Sequence, residues 1–187
     1  MKKNMKNVHK FDTWVTSAHE KNLVEIMNLV TKDVLAKLNG NGVYDIRGME
    51  LNGYNFTFAD FRGFNMADIE INGCNLSQAS FEDSLLNDSN ILNSNFTNSN
   101  LNFSNLENTT ITNCNLTKVK FHSTDLLNAT FTKCNFTDSR YLYFAKNLFS
   151  CKFIECDFLG VDFSSANKKE IKKLNSIFFD CHNLKLS

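Results

Sequence analysis

From Ser89 to Leu116 the chain reads SNILN SNFTN SNLNF SNLEN TTITN CNL, one large apolar residue in every five, each framed by polar ones. With the large residue taken as a centre, centres fall at Ile91, Phe96, Leu101, Leu106, Ile111 and Leu116. A helix returns to one face every 3.6 residues and a strand every 2, so a strict period of five belongs to neither. It requires a backbone that turns a corner once per repeat. Four such corners close a square coil.

The same period runs from Ile46 to Tyr141 and resumes at Leu148, Phe153, Phe158 and Phe163 after two extra residues. Centres twenty apart should stack, and Leu148 follows Ile46, Met66, Leu86, Leu106 and Leu126 only if the insertion is two. The corners give an independent check. The second residue after each centre is the third residue of a turn, where φ > 0 favours Gly or Asn. Gly, Asn or Asp occupies 14 of those 24 positions, and five of the seven glycines sit at this one phase. The repeat resembles the pentapeptide-repeat family, with consensus A-(D/N)-L-x-x. The resemblance implies an all-β solenoid, a right-handed quadrilateral β-helix of about six coils over residues 44–163.

The flanks carry a different pattern. In residues 1–43, Leu23, Ile26, Met27, Val30, Val34 and Leu38 recur at helical spacing behind a Ser17–Glu20 capping box. Asn39-Gly40-Asn41-Gly42 ends the stripe. Such a helix would cover the open end of the first coil. In residues 164–187, Asn167-Lys168-Lys169-Glu170 opens a short helix, and Ile177-Phe178-Phe179 reads as extended, together forming a second cap. In the first coil Tyr44, Met49, Tyr54, Phe64 and Ile69 stand where small inward residues belong, which predicts a wider mouth.

Charge changes this picture more than composition does. The formal net charge is zero, which argues against a basic nucleic-acid binder. Yet residues 44–163 carry eight bases against fourteen acids, while each flank carries a surplus of three bases. No apolar run follows the lysine-rich N-terminus, so neither a signal peptide nor a membrane span is expected. Six cysteines without paired C-x-x-C spacing fit a reducing, cytoplasmic setting.

Little points to catalysis. His9, His19, His122 and His182 are scattered, and no phosphate loop, HExxH or GxSxG is present. A filled solenoid offers no pocket along its sides. No enzyme activity, cofactor or metal is expected. Cys74, Cys114, Cys134 and Cys156 share one inward column with Tyr54 and Ser94, which reads as a column of small residues rather than a ligand set.

Two surfaces stand out as candidates for a protein partner. Asp45, Glu50, Asp60, Asp68, Glu70, Glu82, Asp83 and Asp88 make the first half of the rod acidic. Some members of the family resemble duplex DNA in width and charge, occupy the DNA-binding saddle of DNA gyrase and protect it from quinolones or peptide toxins. The resemblance therefore implies a non-catalytic protein-binding module, with a DNA-mimicking topoisomerase partner as its most specific form. Another protein-interaction scaffold, or an effector delivered to a host cell, is the alternative. Towards the other end Leu127, Leu142, Tyr143, Phe144, Phe149, Ile154 and Leu159 turn apolar where outward residues should be polar. Related proteins dimerise through this end, so a homodimer joined there is expected. A third surface pairs Asn55, Asn75, Asn95, Asn115 and Asn135 with Thr57, Ser77, Thr97, Thr117 and Thr137. This predicts amides hydrogen-bonded from coil to coil, with an ordered ligand such as ice as the outside reading.

Overall fold

The computed structural model describes residues 45–174 and 177–186; the N-terminal helical cap expected over 1–43 and the Tyr44 side chain lie outside them. The strands β1 (Glu50–Asn52), β2 (Glu70–Asn72), β3 (Asn90–Leu92), β4 (Thr110–Thr112), β5 (Thr130–Thr132), β6 (Lys152–Ile154) and β7 (Phe178–Phe179) form one parallel sheet in sequence order. They build one side of a four-sided β-helix. The other three sides pair through single parallel bridges, such as Asp45 with Asn65, Asn55 with Asn75 and Asp60 with Ser80. We number the sides by their first centres: side one Ile46, side two Leu51, side three Phe56 and side four Phe61. Six coils run from Ile46 to Phe163.

Centres and the small residues two before them point inward and are buried. Met49, Phe64 and Ile69 are buried and Tyr54 is half-buried against the core, so the described large residues of the first coil pack into the square. The corner rule holds in every repeat: the second residue after each centre from Gly48 to Asp138 has positive φ, including Phe58, Phe103, Lys118 and Lys133. Position in the repeat fixes this backbone, and residue type only lowers its cost. On sides three and four the centre's carbonyl accepts the N–H three residues on, as in Ala59 to Phe56 (3.0 Å) and Ser99 to Phe96 (2.9 Å).

The insertion is two residues, but it is divided. Lys120 pairs with Arg140, Asp125 with Lys146 and Thr130 with Lys152, so the offset rises from 20 to 21 and then to 22. Tyr141 (φ 63°) and Asn147 (φ 55°) are the extra residues, each followed by a 3₁₀ turn, Leu142–Phe144 and Leu148–Ser150. Tyr141, expected as a centre, is half exposed, and Leu142 fills the core in its place. A leucine enters a dry stack without stranding a hydroxyl.

Beyond Phe163 the helix α1 (Lys168–Leu174) begins with a reciprocal cap. Asn167 Oδ1 accepts the N–H groups of Lys169 and Glu170, and Glu170 Oε2 accepts that of Asn167 (2.9 Å). Leu174 is buried, and the chain then re-enters the solenoid. β7 pairs with β6, and Phe178 stacks on Phe153 with ring centroids 5.1 Å apart. The segment expected to act only as a cap thus contributes a seventh, partial layer.

Candidate functional site

The inward cysteine column has a structural task. On side two the turn bond is missing, because the strand continues straighter into its corner, so the centre's carbonyl needs another donor. Thiols supply it: Cys74 to Leu51 O (3.2 Å), Cys134 to Ile111 O (3.4 Å), Cys156 to Phe131 O (3.5 Å) and Cys181 to Phe153 O (3.4 Å). Cys181, which shows no period in the sequence, is the column's last member in the seventh layer. Ser94 plays the reciprocal part, its Oγ accepting the Cys74 N–H at 3.1 Å. Burial pushes the Cys114 thiol up to about 11 and that of Cys151 up to about 12. A hydrogen bond with Cys156, then burial, pushes Cys134 up as well. These thiols stay neutral and inert at ordinary pH. Among the described residues no group of three or more His, Cys, Asp and Glu could hold a metal ion. No described helix is long and apolar enough to cross a membrane.

The amide face on side three differs from the expected ladder. Each Asn Oδ1 is used within its own corner, where Asn95 Oδ1 accepts both the Thr97 N–H (3.1 Å) and hydroxyl (2.7 Å). The same contacts recur at Thr57 and Thr117. A carboxamide next to the turn satisfies a local donor at less entropic cost than one in the next coil. On this face one amide reaches from coil to coil, Asn95 Nδ2 donating to Asn75 Oδ1 (3.2 Å). True ladders run instead along the positive-φ corners, Asn113 to Asn93 (2.8 Å) and Asn128 to Asn108 to Asp88.

The apolar residues expected to form one terminal patch are dispersed. Leu142 is in the core, 1% exposed. Leu127 and Phe149 lie on side one, Ile154 on side two, Leu159 on side three, and Tyr143 and Phe144 on side four. Three of them meet the C-terminal segment: Lys173 Nζ lies 5.3 Å from the Phe149 ring centre, Tyr143 donates to Glu170 (2.9 Å), and Ile154 pairs with Phe179. Counting along a five-residue period marks a position as outward without saying which side it is on or what returns to cover it.

The eight acids also sort by side. Asp45 and Asp60 are paired within the repeat, by Arg47 (2.6 Å) and Arg62 (2.8 Å) flanking the same centre. The D-I-R and D-F-R spacing carried that signal in the sequence. Glu82 and Asp83 lie on side four. Glu50, Asp68, Glu70 and Asp88 follow one corner, between sides one and two, over three successive coils. All four are exposed, and among the described residues none forms an ion pair. Glu50 and Glu70 are direct neighbours in the parallel register. Such like-charge pairs disfavour the fold, so packing must outweigh them. The amides of Asn87 and Asn108 hold the Asp88 carboxyl below its usual range.

Sequence reasoning missed one surface altogether. On side four the rings of Phe103, Tyr141 and Phe144 surround His122 at 5.6, 5.8 and 6.3 Å. The three are 48%, 50% and 54% exposed. Lys118, Lys120 and Arg140 flank them and, among the described residues, form no ion pair. The signal lay in the outward phase of Phe103 and His122, one coil apart.

The family model for pentapeptide repeats matches residues 65–102 and 99–138, in eight copies. Residues 65–138 are thus pentapeptide repeats. Solved pentapeptide-repeat proteins are among its structural matches. HetL, involved in heterocyst differentiation regulation in the cyanobacterium Nostoc, is 15% identical with a TM-score of 0.46; the match covers 60% of this chain and 45% of HetL. Trypsin-treated QnrB1, a plasmid-mediated fluoroquinolone resistance protein, is 18% identical over 62% of this chain and 66% of its own, with a TM-score of 0.41. A pentapeptide-repeat protein from the Arabidopsis thaliana thylakoid lumen is 19% identical over 67% and 77%, with a TM-score of 0.42. This chain therefore spans about half of HetL and about two thirds of QnrB1. No curated protein matches it by sequence.

Proposed function

We propose that this pentapeptide-repeat protein is a non-catalytic, cytoplasmic protein-binding rod that offers a DNA-like line of carboxylates to a cationic groove. A topoisomerase of the gyrase type is the partner that fits this reading. The carrying observation is the corner of Glu50, Asp68, Glu70 and Asp88. The first and third coils are two steps of about 4.8 Å apart, so the four charges span roughly 10 Å at a mean spacing of about 3 Å, close to the 3.4 Å per charge of one DNA strand. The line sits on a convex edge of a filled, straight solenoid and needs no pocket to be reached. Fold alone does not carry function; the charge spacing does.

A supercoiling assay with purified gyrase tests the proposal. The chain should shift the quinolone inhibition curve or inhibit supercoiling itself, and Asp68→Lys with Glu70→Lys should remove that response while the thermal melt is retained. Identical curves with and without a large excess of folded chain would exclude gyrase as the partner.

A further inference from the structure

Side four is electrically bipolar along the rod. Its first two coils carry Asp60, Glu82 and Asp83 against Arg62, a balance of −2. Its fourth and fifth coils carry Lys120 and Arg140, a balance of +2 from the coils' own side-four residues; Glu170 of α1 accepts from Tyr143 beside them and Asp162 follows in the sixth coil. Between the poles the third coil presents Asn100, Asn102 and the exposed ring of Phe103. The positive pole holds the His122 aromatic cluster, and its two cations have no ion pair among the described residues.

We propose that side four is a self-recognition surface on which two copies of the chain lie side by side and antiparallel, related by a two-fold axis across the third coil. Such an axis lies in the contact plane and reverses the rod while keeping each outward column opposite itself. Coil one then faces coil five, and coil two faces coil four. Asp60 comes opposite Arg140 of the second copy, and Glu82 and Asp83 come opposite His122. Phe103 meets Phe103 at the dyad, and Arg62 reaches the face of Phe144. The opposite poles of one side supply the complement, so no foreign partner is needed to match them. A parallel pair would set acid against acid and base against base. Coils one to five span only about 20 Å, so the contact falls below the usual interface of about 1,600 Å² and should be a micromolar, salt-sensitive one. The carboxylate corner between sides one and two plays no part in this contact, so the inference stands apart from the topoisomerase reading.

Sedimentation equilibrium of the full chain, up to roughly 200 µM at low and high salt, tests it. A dimer is expected that weakens as salt rises. Asp60→Lys and Arg140→Glu should each weaken association at least about tenfold, one charge-pair interaction's worth. The double variant, with the pair's charges exchanged, should restore it, an outcome that mere unfolding would not produce. Leu159→Glu, on side three, should leave the dimer intact. A chain that is monomeric throughout, a dimer indifferent to both reversals, or a swap that restores nothing would overturn the proposal. Capture of an acidic peptide by the positive pole of a chain that stays monomeric would overturn it equally.

Discussion

Phe153→Ala should destabilise the protein by about 3–5 kcal/mol, the range for removing a fully buried phenylalanine whose site cannot collapse. The ring is fully buried and touches four others. It stacks on Phe131 and Phe178 at 5.1 Å each, and meets Phe136 and Phe158 edge-on at 5.4 and 5.3 Å. These contacts join the fifth coil, the sixth and the seventh layer in one stack, with edge-on pairs adding to plain area burial. The neighbours are tied to backbone paired above and below, so the cavity should persist. Asn98→Ala, at an exposed corner with φ 60°, should cost far less, chiefly through strain at positive φ. Urea melts of both variants check this, and equal losses would contradict the inward assignment.

Two serines of the same inward class should respond oppositely to alanine. Ser94 Oγ accepts the Cys74 N–H (3.1 Å) and donates to Leu92 O (2.7 Å), at a side-two corner where the turn bond is absent. Ser94→Ala strands a buried N–H and should cost about 1–3 kcal/mol. Ser99 sits at a side-three corner whose turn bond is closed, and its buried Oγ has no hydrogen-bond partner among the described residues. Ser99→Ala removes an unsatisfied group and should be neutral or stabilising. Thermal melts that fall equally for both would refute the idea that the open corner dictates the inward column.

These contrasts mark where the sequence is legible. The stack of centres was readable because a fixed step of five leaves one apolar residue per unit, and stacking across coils checks every assignment. The corners were readable for the same reason, even though Phe58 and Lys118 are poor residues for positive φ. Around Tyr141 the step fails as a guide, since Tyr141, Leu142, Tyr143 and Phe144 offer four candidates for one inward place. The size of the insertion followed from Leu148, but its division into two single residues did not. Phe178 was hidden because one repeat after a helix has no period. The cysteine column was readable as small and inward, whereas its hydrogen-bonding task depends on which side leaves its turn open. Charge counts gave an acidic half, but phase within the coil separates Asp45 and Asp60, each ion-paired with an arginine of its own repeat, from the corner of Glu50, Asp68, Glu70 and Asp88, which forms no ion pair among the described residues.

Direct binding to gyrase tests the role of this carboxylate corner. Fluorescence anisotropy of a labelled chain titrated with the purified enzyme should show saturable binding that weakens steeply with salt. Linear duplex DNA should displace the chain, because both would occupy one cationic surface, and the reversed corner, Asp68→Lys with Glu70→Lys, should not bind. An absence of binding to roughly 100 µM enzyme, which limits any interaction to less than about 6 kcal/mol, or binding that duplex DNA leaves untouched, would contradict the account.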